Sequence, residues 1–377
     1  MKNLSVYLPP FSGDYSGACS ALYDINCLIV LCDAACCTKN YINYEEPRWS
    51  REKRTPLSAQ LRTMQVVMGD EQRIIGQSTV AAKACGAELI VLLGSPVPAM
   101  TGMDMQGMAK AIESRSKIPA VGLNTTGFSD YTSGIEKTTL ALLKKYMSPP
   151  REKIKNGINI LGATPIDFGN TGNEHCIARA FEVLGYNIIC SYSFGYSLSD
   201  VRKSSAAELN IAVSASGLAG AREMKKIFGI PYVAGVPIGP TGAVDVISPA
   251  ADAPAPPESE KGLLIVSDQV IADSLRNALI KRGFPGRIDI AGFFRMNREL
   301  MKKGDKKLRS EEDLINMLKS GKYEILIGDP LLRRIPAAGN VRCIDLPHPA
   351  ISGPFAWEKV PRFPTDEIEE ILNEALK

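Results

Sequence analysis

The chain is constrained most by a repeated alternation of short β-rich runs with amphipathic helical stretches, the pattern written by βαβ units on parallel sheets. It falls into three blocks. The first carries strands at Cys27 to Cys32, Glu88 to Gly94 and Ile118 to Leu123, with helices at Leu57 to Met68, Gln72 to Cys85, Gly107 to Ser116 and Gly134 to Met147. The second has strands from Gly157, Tyr186, Asn210 and Pro231 and helices Asn173 to Leu184, Leu198 to Leu209 and Gly220 to Phe228. Ser248 to Lys261 then offers four prolines and no apolar periodicity, which reads as a connection between domains. The third block repeats the pattern with strands from Gly262, Arg287, Tyr323 and Val341 and helices Val270 to Arg282, Glu311 to Lys319 and Thr365 to Leu376. The sequence therefore predicts an α/β chain of three Rossmann-like domains with parallel sheets, at 1–152, 153–250 and 251–377.

Composition narrows the function. Apolar residues are 45% and charged residues 23% of the chain, enough hydrophobic material for packed cores. Lysine plus arginine, 44, against aspartate plus glutamate, 41, leaves +3, too little for a nucleic-acid or membrane-surface binder. No apolar run approaches a membrane span, and Pro9-Pro10 cuts off the run Leu4 to Leu8 before it could serve as a secretory core, so a cytoplasmic location is expected. The nine cysteines are an odd number, five of them between residues 19 and 37, which argues against a disulfide framework and for reduced thiols.

That crowding is the main chemical signal. The strand ending at Leu31 runs into Cys32-Asp33-Ala34-Ala35-Cys36-Cys37, with Cys19 and Cys27 upstream. Thiols and a carboxylate thus stand at the carboxyl end of a parallel strand, where α/β proteins place ligand sites. Short spacings between thiolates suit an iron–sulfur cluster. Free cysteine is also a small hydrophobe that packs beside strands, which is the reading for Cys27, Cys85, Cys176, Cys190 and Cys343.

Other features are less specific. Gly162-Ala163-Thr164 and Ser214-Ala215-Ser216-Gly217 are strand-to-helix turns able to cradle an anionic cofactor, although any α/β fold needs such turns. Met100, Met103, Met105 and Met108 form an adaptable apolar cluster, or core filling. His348, just beyond the last strand, is the candidate for proton delivery or metal ligation; the other histidine, His175, reads as structural. No phosphate-binding loop of the Gly-x-x-x-x-Gly-Lys-Ser/Thr type occurs, so no ATP site is expected on this chain.

Taken in order, these residues resemble the nitrogenase component 1 family, which includes the dark-operative protochlorophyllide reductase and the nickel-sirohydrochlorin reductive cyclase type of subunit. The resemblance is carried by Ser16-Gly17-Ala18, the strand ending at Cys37 and followed by Tyr41, Glu71-Gln72-Arg73-Ile74-Ile75-Gly76, Leu89 to Pro98 leading to Gly102, Gly157 to Gly162, Ala206 to Asn210, Phe228 to Tyr232 and Ser352-Gly353-Pro354. It implies a nitrogenase-like oxidoreductase component. Such a subunit forms a homodimer, or a heterodimer with a homologous chain, and holds an iron–sulfur cluster, of 4Fe-4S type, between subunits. A separate ATP-dependent iron–sulfur reductase supplies the electrons. Of three family cysteine positions only Cys37 is kept; the others fall at Phe11 or Ser12 and at Ser95 or Pro96. The metal ligands expected here are therefore Cys37, Cys36, Cys32, Cys19 and Asp33, with aspartate ligation having a precedent in the protochlorophyllide enzyme. The expected cofactor or substrate cleft is lined by Met100, Met103, Gly162, Thr164, Ser214, Ser216 and His348. The alternatives are a metallocluster assembly or carrier scaffold and a metal-free ligand-binding protein.

Overall fold

The computed structural model describes residues 5–50, 56–150, 152–248 and 262–377; most of the proline-rich connection, 249–261, lies outside the described residues. Three all-parallel sheets follow one another along the chain.

The first contains β1 (Cys27–Leu31), β2 (Leu57–Ser58), β3 (Leu89–Leu93) and β4 (Ala120–Leu123) in the order β2-β1-β3-β4. Residues 57–68 differ from the helix expected there. Leu57 and Ser58 pair in parallel with Val30 and Leu31, and only Thr63–Met68 is helical. An available sheet edge overrides local propensity over two residues. The helix Asp14–Leu22, buried along its whole length, crosses the helix Tyr131–Tyr146 at glycines. A Cβ on Gly17 would lie 2.0 Å from the Tyr131 carbonyl oxygen, and one on Gly134 1.7 Å from that of Asp14, so only glycine permits the crossing.

The second sheet is β5 (Gly157–Leu161), β6 (Asn187–Ser191), β7 (Leu209–Ala212) and β8 (Tyr232–Ala234), ordered β6-β5-β7-β8. The helix expected at 198–209 stops at Lys203, and a 3₁₀ turn over Ser204–Ala206 releases the chain into β7. Buried Asn159 donates to Asn210 at 2.8 Å, a cross-strand bond that holds the residues at 209–212 in extended form.

The third sheet is β9 (Gly262–Val266), β10 (Arg287–Gly292), β11 (Lys306–Lys307), β12 (Ile325–Gly328) and β13 (Arg342–Asp345), ordered β11-β10-β9-β12-β13. Only the two-residue β11 had no counterpart in the sequence pattern. Residues 6–8 dock on this domain: the Glu311 carboxylate accepts the N–H groups of Val6, Tyr7 and Leu8, and Leu8 enters the core around Leu264. A continuous core joins the second and third sheets, and Tyr192, Tyr196 and Leu218 extend the first domain's core into the second. Residues just beyond the carboxyl ends of the strands bond across the domains: the Ala215 N–H donates to Asp268, and His348 lies beside Asp167. Among the described residues no helix is long and apolar enough to cross a membrane.

Candidate functional site

The sulfur loop leaves β1 at the point where the strand order reverses, with β2 on one side and β3 on the other. Asp33 is buried and fully engaged: its carboxylate accepts the Thr38 N–H at 2.8 Å, the Thr38 hydroxyl at 3.1 Å and the Ser58 hydroxyl at 2.5 Å. Ala35 follows with φ of 78°, a left-handed conformation costing a non-glycine residue about 1–2 kcal/mol. That turn starts the helix Cys36–Asn40, leaving Cys36 exposed and Cys37 half-buried with sulfurs 4.0 Å apart. The ligand atoms of Asp33, Cys36 and Cys37 all lie within 4.8 Å of one another. Burial, then the neighbouring Cys36, pushes the Cys37 thiol up to about 12, so a bound cation would have to displace its proton.

The structure brings these three of the five predicted ligands together and separates the other two. Cys19 sits on the buried helix 14–22 in a core with Leu22 and Leu31, and burial pushes its thiol well up. Cys32 points into a different core, with Leu92 and Ile112, and its thiol is raised to about 12. Both are fully buried and act here as packing residues, as a free thiol does when it is enclosed by aliphatic side chains. Of the residues at or beside the other two family positions, Ser12 and Ser95 are buried and Phe11 and Pro96 half-buried; the Ser95 hydroxyl donates to the Cys32 carbonyl at 2.7 Å. One chain thus presents two thiols and a committed carboxylate, half of the four-ligand set a 4Fe-4S cluster takes if the carboxylate is left aside. A cluster shared with a second subunit fits this donor set.

Beside the loop lies a cleft of about 460 Å³, bounded by residues 9–13 and 40–45 and by the 349–355 turn of the third domain. Tyr15 lines the cleft and lies close enough to Cys37 and Asn40 to interact with both, and burial pushes its hydroxyl up. Glu45, hydrogen-bonded by the Ser16 hydroxyl and close to Asn40 and Ser12, lines the cleft, and burial raises its carboxyl.

The predicted cofactor-binding residues are elsewhere. Met105 and Met108 fill the first domain's core, Met103 packs against it, and Met100 is 79% exposed. Thr164 is buried, and Gly162 packs so tightly that a Cβ would meet the Ser214 hydroxyl at 2.4 Å, while Ser214 and Ser216 hydrogen-bond each other at 2.7 Å. The glycine-serine turns are therefore closely packed against one another, with Ser214, Ser216 and Thr164 buried. Tyr15, Glu45, Tyr44 and Arg334 were not foreseen as site residues, since each acquires a role only when residues 9–15, 40–45 and 331–355 meet.

His348 stands at a buried junction of all three domains. Its backbone N–H donates to Asp329 at 2.8 Å, and its Nδ1 accepts the Ala350 N–H at 3.2 Å. Its Nε2 has no hydrogen-bond partner among the described residues and lies 3.7 Å from the Asp167 carboxyl, which accepts the Tyr131 hydroxyl. Phe294 covers the imidazole, ring centroids 5.0 Å apart. The His348–Asp167 separation would suit an ion pair, but burial depresses the imidazole to about 3 and, with Asp268 nearby, pushes the Asp167 carboxyl well up. Both shifts favour neutral forms, so the contact is between uncharged groups. Packed on every side, the imidazole cannot reach a ligand in the cleft without rearrangement.

Comparison with known proteins agrees with this architecture. Residues 14–275 match the nitrogenase component 1 type oxidoreductase family. The nitrogenase iron-molybdenum cofactor biosynthesis protein NifE of Clostridium pasteurianum is 26% identical over 183 residues, 48% of this chain and 39% of that protein. A light-independent protochlorophyllide reductase subunit of Pelodictyon phaeoclathratiforme is 29% identical over 154 residues, 40% of this chain and 29% of that protein. The matched stretch thus spans well under half the length of these curated relatives. Two solved structures of nitrogenase Cp1, at pH 5 and pH 6.5, superpose over 100% of this chain with TM-scores of 0.71 and 0.73 at 13% and 14% identity, covering 89% and 94% of those chains. The chain belongs to the nitrogenase component 1 type oxidoreductase family.

Proposed function

We propose that this chain is a nitrogenase-like reductase subunit that holds an iron–sulfur cluster through Cys36 and Cys37 at a junction with a second, homologous subunit. Asp33 fixes the loop, and Tyr15 beside Cys37 helps set the polarity around the sulfurs. The cluster would supply low-potential electrons received from an ATP-dependent iron–sulfur reductase, and the inter-domain cleft beside Tyr15 would hold what is reduced. The observation that carries this reading is the convergence of Asp33, Cys36 and Cys37 within 4.8 Å at a surface where one thiol is open. Purification without oxygen should yield iron and a visible chromophore bleached by dithionite. Cys37→Ala should lose both and Cys343→Ala neither; iron-free wild type, or equal behaviour of the two variants, rejects the reading.

A second reading is a scaffold on which a metallocluster is assembled or carried. The similarity to the cofactor biosynthesis protein NifE favours it, as does the close packing around His348, which leaves no cavity for a large cofactor there. Turnover of a substrate on addition of an ATP-dependent iron–sulfur reductase would support the reductase; cluster transfer without turnover would support the scaffold.

A further inference from the structure

Residues 6–11 belong to no helix or strand, yet they cross from the third domain to the first under close restraint. At one end a single carboxylate holds three consecutive N–H groups: Glu311 accepts that of Val6 at 2.8 Å, Tyr7 at 3.0 Å and Leu8 at 2.7 Å. Glu311 is 9% exposed and opens the helix Glu311–Lys319, where the positive end of the helix dipole also favours its charge. The Val6 side chain is exposed, so the backbone bonds and the buried Leu8, in a core with Leu264 and Leu314, carry the attachment. At the other end the Ser12 N–H donates to Ala350 at 3.2 Å, and the Tyr131 N–H to Ser12 at 3.0 Å. Between these ends the Phe11 ring packs on Phe293 and Phe294, with centroids 5.1 Å and 5.5 Å away. Phe294 is the ring that covers His348. Phe11 also lines the cleft, so the segment that backs this seal is a wall of the cleft as well. The sealed imidazole keeps an Nε2 without a hydrogen-bond partner among the described residues. A buried polar atom left unpaired costs free energy that water or a ligand would recover, so contacts elsewhere must hold the closed arrangement.

We propose that residues 6–11 act as a latch on the three-domain junction: Glu311 and the Leu8 pocket hold Phe11 against Phe293 and Phe294, and release of the strap frees Phe294 and opens the His348 imidazole to the cleft. Because one carboxylate carries three bonds, weakening that group weakens the whole attachment. The inference stands on packing and needs no iron. The chain has two histidines, which gives the test an internal reference. Diethyl pyrocarbonate labelling of the full chain, read by peptide mass spectrometry, gives the rate at His348 relative to His175, whose side chain is 85% exposed. In wild type His348 should react at least about a hundredfold more slowly, because local opening limits it. Glu311→Gln, which replaces charge-assisted bonds by neutral ones, should raise that ratio about tenfold, and Leu8→Ala should raise it too. Leu372→Ala, a buried change in a different core, should leave the ratio within about twofold. Thermal unfolding checks that each variant is folded at the labelling temperature. Fast labelling of His348 in wild type, or an unchanged ratio in both strap variants, overturns the proposal. So does an equal rise in Leu372→Ala, which would mean that His348 is reached by global unfolding.

Discussion

The sulfur loop and the three-domain junction are built by the same topological rule and end in opposite states. Each gathers polar side chains at the carboxyl ends of parallel strands: Asp33, Cys36 and Cys37 beyond β1, and Asp167, Asp268, Asp329 and His348 beyond β5, β9, β12 and β13. In the loop, one chain's contacts leave a thiol exposed and the donor set incomplete. At the junction, Tyr131 from the first domain closes over the strand ends of the other two, and nearly every polar group finds a partner within the chain. The position at a strand end supplies reactive residue types to both places. Whether a neighbouring domain covers them determines which stay available to a ligand.

The largest test of this contrast is His348→Ala. Removing a fully buried side chain from a packed junction should cost about 2–4 kcal/mol of stability by denaturant unfolding, with iron content unchanged. Iron loss without loss of stability would instead make the histidine a ligand. Acid sharpens the same point. A histidine held near 3 in the folded protein, against about 6.5 unfolded, contributes stability that is whole above about pH 6.5 and is lost as pH falls toward 3. Asp167 acts in the opposite sense, since a raised carboxyl contributes stability at low pH that is lost as pH rises. Comparing wild type with His348→Gln removes that common background. The stability difference between them should shift against wild type by about 1.4 kcal/mol for each pH unit below about 6.5; a difference that does not vary with pH would mean that the imidazole is hydrated. Smallest is Cys36→Ser in the iron-free protein, expected to change stability by no more than about 0.5 kcal/mol because the side chain is exposed. A larger change would show that the loop is bound into the core as firmly as the junction is.

Much of the architecture was legible because parallel strands buried on both faces write continuous apolar runs. Leu89–Leu93 is buried throughout, as is Gly262–Val266, and both stand where the sequence put them. Leu57–Ser58 and Lys306–Lys307 were not legible, since two-residue edge strands carry no periodicity and exist only by pairing with Val30, Leu31, Ala291 and Gly292. In the site, the Cys-Cys pair and Asp33 were visible as a crowded loop, but the sequence could not divide ligands from filling. Cys32 and Asp33 are neighbours in the chain and face a core and a hydrogen-bonded loop respectively. Tyr131 and Asp167, 36 positions apart, gave no sign of meeting.

The sequence by itself determined three parallel α/β sheets, the family and the concentration of thiols after the first strand, because periodicity and residue spacing are local properties that tertiary packing seldom reverses over a whole block. Only the tertiary structure decided which thiols face outward, that His348 is sealed beneath Phe294 and Tyr131, and that a cleft opens between Tyr44 and Phe355. Those outcomes depend on which surfaces of distant segments cover one another, and the burial that results sets both access and the free energy of charge.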